Sequence, residues 1–302
     1  MAVTPPILVI LGPTASGKSA LAHALAKQID GEILSVDSMQ VYRSMDVGTA
    51  KPTSAERAAV QHHLLDLVEP TESFTVARFV ELADAIIANA TRPLIATGGT
   101  PLYYKALFEG LFNGPQADAS VRDRLSAMSN EQLHQRLTRV DPAAALRIHL
   151  NDSRRMIRAL EVFELTGKPI SSFQTDWDAR TQRYPTVFFG LSWEKESLNR
   201  RINLRVKEMI AAGWVDETRA LLEKYGQLSM TAAEATGYRD LIDYVTGKIG
   251  LSDAIEQIKI STRQLARRQM KWFRRFPNVR WMSGDRPIAE NIAEIQRTML
   301  PL

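Results

Sequence analysis

Apolar residues recur along this chain in two rhythms, short unbroken runs and longer stretches with a period near 3.6 residues. The unbroken runs Ile7–Leu11, Ile33–Val36 and Leu94–Ala96 have the length and β-branched content of buried strands, and helical spacing occupies Lys18–Gln28 and Val76–Ala90 between them. Strand and helix in alternation predict a parallel sheet with crossover helices, whose functional loops gather at the carboxyl ends of the strands. Each strand runs into a polar or glycine-rich turn: Gly12–Ser19, then Asp37-Ser38-Met39-Gln40, then Thr97-Gly98-Gly99-Thr100. In such a sheet the three turns face one another around one site.

The rhythm then changes. Asn113-Gly114-Pro115-Gln116-Ala117-Asp118 is a run of turn residues that reads as a boundary. From Ala119 to Gly167 the spacing is helical only, with amphipathic runs at Ser120–Ala127, Glu131–Arg139, Pro142–His149 and Ser153–Leu165, followed by a polar stretch over 171–183 without a period. Val187–Leu191 restores a strand. Helices follow at Glu194–Ala211, Val215–Tyr225 and Asp253–Phe276, then a short strand at Val279–Met282 and a closing helix. The expected organisation is a core from 1–115 and 186–302, interrupted by an all-helical insertion at 116–185.

Composition narrows the class. The 302 residues are 45% hydrophobic and 24% charged, as in a globular domain with a sizeable core, and no run approaches the length of a membrane span. The first strand begins almost at once, so no targeting segment is expected ahead of it. Cysteine is absent, which removes disulfides, thiolate metal sites and cysteine nucleophiles, and fits a cytoplasmic protein. No apolar seam calls for an obligate protein partner, and a monomer is expected. The net charge of +4 is modest, but arginine and lysine are clustered.

The first turn carries the plainest chemistry. Gly12-Pro13-Thr14-Ala15-Ser16-Gly17-Lys18-Ser19, between a strand and a helix, is a phosphate-binding P-loop: glycines let successive N–H groups turn inward, the helix adds its positive end, and Lys18 adds a cation. The Ser19 hydroxyl is placed to ligate Mg²⁺. The fold class is therefore α/β, a P-loop NTPase-like core with a parallel sheet flanked by helices, plus the helical insertion. Asp37, after the second strand, is either a metal or base carboxylate or the cap of a turn. Thr100 offers a hydroxyl to a phosphate or leaving oxygen and can also cap the helix that Pro101 begins, since a cap hydroxyl at a helix start is itself an anion donor.

Two basic regions point to a polyanion. The helix around Asp253–Phe276 carries Lys259, Arg263, Arg267, Arg268, Lys271, Arg274 and Arg275 with no acid between the first and last, and they fall on one half of the helix. A single-signed stripe suits phosphate-backbone contact, where a solvated face would mix signs. The insertion adds Arg122, Arg124, Arg136, Arg139, Arg147, Arg154, Arg155 and Arg158, with Asp123, Asp152 and Glu161 as possible partners. His62-His63 lack helical metal-pair spacing and read as structural.

Taken together, Gly12–Ser19, Asp37-Ser38-Met39-Gln40-Val41-Tyr42-Arg43, Gly48-Thr49-Ala50-Lys51-Pro52, His62-His63-Leu64, Gly98-Gly99-Thr100-Pro101-Leu102-Tyr103, Asn151-Asp152 with Arg154–Glu161, Gly237-Tyr238-Arg239 and Thr262–Gln269 resemble the tRNA dimethylallyltransferase family, in family order. The resemblance implies transfer of a dimethylallyl group from dimethylallyl diphosphate to N6 of the adenosine 3′-adjacent to the anticodon, with Mg²⁺ as cofactor and tRNA as partner. It implies a donor-diphosphate site at Gly12–Ser19, Asp37 as the carboxylate that accepts the N6 proton, and Thr100 beside the reacting groups. It implies tRNA contacts from Asp37, Ser38, Met39, Gln40 and Thr100, from Arg122, Arg154, Arg155, Met156, Ile157 and Arg158, and from Gly237, Tyr238, Arg239, Arg267, Arg268, Gln269, Lys271 and Arg274. Pro101 departs from the small or flexible residue usual there, Ser19 from the usual threonine, and the absence of a zinc finger makes the chain look bacterial. A P-loop kinase of a small metabolite, an adenylate isopentenyltransferase and an ATP-dependent RNA-binding switch are the competing readings. The first two leave the basic regions with little to do, and the third predicts ATP turnover without group transfer.

Overall fold

The computed structural model describes residues 6–110, 114–173 and 182–299. Six strands, β1 (Ile7–Leu11), β2 (Glu32–Ser35), β3 (His62–His63), β4 (Leu94–Thr97), β5 (Thr186–Ser192) and β6 (Arg280–Ser283), form one sheet in the order β3-β2-β4-β1-β5-β6. Every pairing is parallel, with Val9 in register with Ala96 on one side and Phe188 on the other. Central β1 is buried along its whole length, which is why it reads as an unbroken apolar run. Leu8 and Ile10 project to one face, where they pack with Leu21 and Leu25 of the helix Lys18–Ile29 and with Ile292 and Ile295 of the helix Ile288–Met299. Both neighbours of β1 arrive from distant sequence, so its carboxyl end is a switch point where a crevice opens.

The chain divides into two compact units, Met1–Leu107 with Tyr184–Leu302, and Phe108–Arg183. The second unit has its own core, with Leu125, Leu133, Leu137, Met156 and Leu160 from the helices Ala119–Ser126, Asn130–Val140 and Ser153–Thr166. Its helix starts are capped by Asp118, Ser129, Asp141 and Asp152, and Ser129 with Gln132 makes a reciprocal capping box. At its ends the Arg183 N–H donates to the Phe108 carbonyl at 3.0 Å. In the first unit the Tyr184 hydroxyl, where the chain re-enters, donates to Asp84 at 2.7 Å.

The two-residue strand β3 and the helices Ser54–Ala59, Met230–Ala233 and Tyr238–Val245 have no counterpart in the sequence pattern. β3 and the helices of four and six residues are too short to display a period, and β3 consists of two half-buried histidines rather than apolar residues. His62 Nδ1 bonds the Val60 carbonyl at 2.8 Å and His63 Nε2 meets Glu32 at 2.7 Å, so both serve the sheet edge. Asn113 of the boundary segment and residues 174–181 of the polar stretch lie outside the described residues.

Candidate active site

The phosphate loop is locked from outside by its carbonyls. Gly17, with φ of 90°, makes the turn into the helix that starts at Lys18, a conformation glycine adopts without cost. Arg201 Nε donates to the Ala15 carbonyl and Trp193 Nε1 to the Ser16 carbonyl, both at 2.9 Å, while the Arg201 guanidinium lies 4.4 Å from the Trp193 ring centroid. With carbonyls tied outward, the orphan N–H groups at the start of the helix serve as an anion cradle. Ala15 itself holds φ of 63°, a strained position for a residue with a side chain, of the kind that concentrates at binding sites.

Lys18 is 9% exposed and its ammonium donates to the Pro13 carbonyl at 3.3 Å. Burial pushes its pKa down to about 8, the positive charge of Arg205 adds to the fall, and the Asp37 carboxylate opposes it. Burial also lowers the Arg205 pKa, with Asp37 and Glu208 opposing. Buried Lys18 and half-buried Arg205 both face Asp37, so positive charge gathers at the crevice for an entering anion to neutralise.

The two remaining turns are bonded to one another. Asp37 Oδ1 accepts the Met39 N–H at 2.9 Å and Oδ2 accepts the Gly99 N–H at 3.1 Å, which fixes the carboxylate plane. Thr100 Oγ1 accepts the Ser38 N–H at 2.9 Å and donates to Ser38 Oγ at 3.1 Å. Its hydroxyl thus reaches across to the neighbouring turn from the residue just before the helix Pro101–Glu109. Gly98 is required here because a Cβ would lie 2.1 Å from the Val36 carbonyl oxygen.

The turns share a cavity of about 670 Å³, lined by Thr14–Ser19, Asp37–Gln40 and Gly98–Thr100, with Arg201, Arg205, Trp214 and Gln269 closing other sides. Gly12 and Pro13 are not part of the lining, and a Cβ on Gly12 would lie 2.6 Å from Ser16 Oγ. A further wall is the loop 46–50. Glu217 accepts the N–H groups of Asp46, Val47 and Gly48 at 2.8, 2.7 and 3.2 Å and the Tyr238 hydroxyl at 2.5 Å. Gln40 donates to the carbonyls of Thr49 and Ala50 at 3.2 Å each and accepts from Ser35 at 2.8 Å, so its amide braces that wall.

Several side chains that the sequence motifs assign to RNA lie inside the fold. Tyr238 is fully buried, its ring edge-on to Trp214, and a Cβ on Gly237 would lie 2.2 Å from the Trp214 ring. Met156 is fully buried in the second unit's core, with Ile157 against it. Gln269 is 3% exposed. Met156, Tyr238 and Gln269 each sit on the inward side of a helix, beside basic neighbours that face out. Arg239, Arg154 and Arg155 are exposed, with Arg155 3.4 Å from Asp152. Arg122 and Arg158 both bind Glu161, a carboxylate with no exposed surface, at 2.6–3.0 Å.

The basic stripe narrows in the structure to the end of its helix, Leu251–Phe273. Lys259 is buried with Glu256 at 2.6 Å, and Arg263 bonds Asn203 at 2.6 Å. Arg267, Arg268, Lys271 and Arg274 are exposed, and among the described residues no acidic side chain pairs with them. Arg201, Arg205 and Glu217 belong to the site and were not singled out by sequence reasoning. A signal existed for the first two: they stand one turn apart on the helix Lys195–Ala211, which follows the strand next to β1. Ser19 is exposed at the cavity, and the described residues contain no cluster of three histidine or acidic side chains that would hold a metal alone.

The family model described as IPP transferase matches residues 40–276, and a model described as isopentenyl transferase matches residues 5–70. The chain is 42% identical to the tRNA dimethylallyltransferase of Pelotomaculum thermopropionicum, over 96% of this chain and 93% of that protein. It is 46% identical to that of Geobacter metallireducens, over 91% and 92%. Among solved structures it is similar to the tRNA isopentenylpyrophosphate transferase of Bacillus halodurans, with TM-score 0.73, 38% identity and coverage of 97% and 95%. It also superposes on a eukaryotic dimethylallyltransferase acting on tRNA, with TM-score 0.83, 28% identity and coverage of 98% and 78%.

Proposed function

The chain belongs to the IPP transferase family, and from that premise we infer that it transfers the dimethylallyl group of dimethylallyl diphosphate to tRNA. We assign the acceptor as N6 of the adenosine on the 3′ side of the anticodon. The observation that carries the site assignment is the cavity in which a phosphate loop with a buried cation faces a carboxylate held by two backbone N–H groups. The loop and Lys18 would hold the diphosphate, with Arg205 adding charge. N6 attacks the first carbon of the allyl group, the carbon–oxygen bond breaks, its electron pair leaves with the diphosphate, and the N6 proton passes to Asp37. Thr100 would orient the groups between them, and preorganised donors at the leaving oxygens would carry much of the rate enhancement.

A divalent ion fits the donor set. One hydroxyl, Ser19, in an oxygen-rich site suits Mg²⁺, which takes most of its ligands from water and substrate phosphate. Bound there, the ion would offset charge building on the leaving diphosphate.

The acceptor base must leave its stack to reach a cavity of this depth, at a cost of about a few kcal/mol that backbone contacts offset. Arg267, Arg268, Lys271 and Arg274 form the free basic face for that grip, with Arg239, Arg154 and Arg155 as further exposed cations. Ser38, Met39 and the wall braced by Gln40 would meet the flipped base. The assay is incubation with labelled dimethylallyl diphosphate, Mg²⁺ and either unmodified tRNA or free adenine nucleotides, with ATP hydrolysis followed in parallel. Label is expected on tRNA alone. Label on free nucleotide only, or ATP turnover without label, would overturn the reading.

A further inference from the structure

We propose that Gln269 is a positioning residue that ties the donor loop to the turn holding Asp37. Its carbonyl Oε1 accepts the Thr14 N–H at 2.8 Å, its Nε2 donates to the Gly99 carbonyl at 2.6 Å, and the Gly99 N–H donates to Asp37 Oδ2 at 3.1 Å. A continuous line of hydrogen bonds therefore runs from the phosphate loop through one side chain to the carboxylate. The amide suits this place because the position must accept from one backbone group and donate to the other, which an ionised carboxylate or an alkyl side chain cannot do. The fit admits no slack: a Cβ on Gly99 would lie 3.0 Å from Gln269 Nε2 and 2.9 Å from Asp37 Oδ2.

The helix that delivers this amide is also the one with the free basic face. Gln269 is 3% exposed, flanked on its buried stripe by Ala266 and Phe273, while its neighbour Arg268 is exposed. RNA seated on the outer side and the reacting groups on the inner side are thus registered by one rigid element of 23 residues. The bond to Thr14 also holds that N–H on the helix side of the loop. The role rests on the transfer reaction proposed above.

Full-length Gln269→Leu and Gln269→Glu are compared with the wild type. The measurements are kcat with saturating anticodon stem-loop RNA, the RNA Kd and its salt dependence, and the melting temperature. Removing the bridge should lower kcat about 10- to 100-fold through misplacement of the two loops, and leave the RNA Kd within about twofold because every exposed cation remains. The Glu variant keeps the acceptor and loses the donor. Its deficit relative to wild type should shrink as the pH falls toward the carboxylate range, where the protonated acid again donates to Gly99, and the Leu variant should show no such recovery. An unchanged kcat, or a loss confined to RNA affinity, would overturn the proposal. So would unfolding of both variants, which would make the bridge a bond of the core. A wild type that labels no RNA would defeat the transfer reading instead, before any variant is compared.

Discussion

Replacing Lys18 with methionine should stabilise the ligand-free protein while disabling it. Among the described residues the buried ammonium has no bonded acid, and the hydrogen bond it makes is to the Pro13 carbonyl. Burial and Arg205 together take its pKa from 10.5 to about 8, against the pull of Asp37. At roughly 1.4 kcal/mol for each pH unit, that fall amounts to about 3 kcal/mol of native-state penalty. Between the two values the unfolded chain binds a proton that the native protein does not, so wild-type stability rises with pH across that window. The penalty is complete below about pH 8 and gone above the unfolded value near 10.5. Methionine has similar reach and no charge, so it removes the penalty at the loss of one hydrogen bond, worth about 1 kcal/mol. Urea unfolding of both proteins without ligand should place the variant about 2 kcal/mol above wild type near pH 7, with the gap closing toward about pH 9.5. Inorganic diphosphate with Mg²⁺ should then raise the wild type and leave the variant unmoved, since the anion binds only where the cation waits. A variant less stable than wild type at neutral pH, or a gap that ignores pH, would refute the claim that an unneutralised cation is stored there.

Other substitutions separate chemistry, grip and scaffold. Asp37→Ala should cut transfer by about 10²- to 10⁴-fold in single-turnover assays with RNA affinity retained, as for a proton acceptor in the transition state. The double change Arg267→Ala with Arg268→Ala should raise the RNA Kd and lower the slope of log affinity against log salt by about 1 for each phosphate no longer neutralised, with diphosphate binding unaltered. Glu161→Ala leaves Arg122 and Arg158 facing each other across a vacated buried site and should destabilise the protein by about 3 kcal/mol in chemical denaturation. Burial opposes ionisation of Glu161, but the bonds from Arg122, Arg158 and the Asp118 N–H outweigh it and hold its pKa below the ordinary 4.5. Its contribution should therefore be intact above about pH 4.5 and fade as the pH falls through the lower native value, a loss absent from the Ala variant.

The legible parts of the molecule are those whose physics is local. An unbroken apolar run announces β1 because a central parallel strand is covered on both faces, and the P-loop announces itself because strand, glycine turn and lysine must be consecutive. The edge strand His62–His63 has no such signature: its stability comes from pairing with β2 and from Glu32, about thirty residues away. The resemblance groups Tyr238, Met156 and Gln269 with arginines that adjoin them in sequence, and a helix sends such neighbours to opposite sides. Which side each takes is decided by partners such as Trp214, Glu217 and Thr14, which no spacing rule links to them. Arg205 illustrates the same limit, since its charge matters only through its nearness to Lys18 and Asp37.

The hydrogen bond from Arg183 to Phe108 means that the inserted unit leaves and returns at one point, while Tyr184 secures the returning chain to Asp84. A segment whose ends meet behaves as a cassette: it can be lengthened, exchanged or cut away with a short turn left in its place, and the strand register on either side need not change. The fold thereby separates two evolutionary problems. Chemistry at the sheet depends on a fixed geometry, whereas the cassette can change in length and shape without disturbing it.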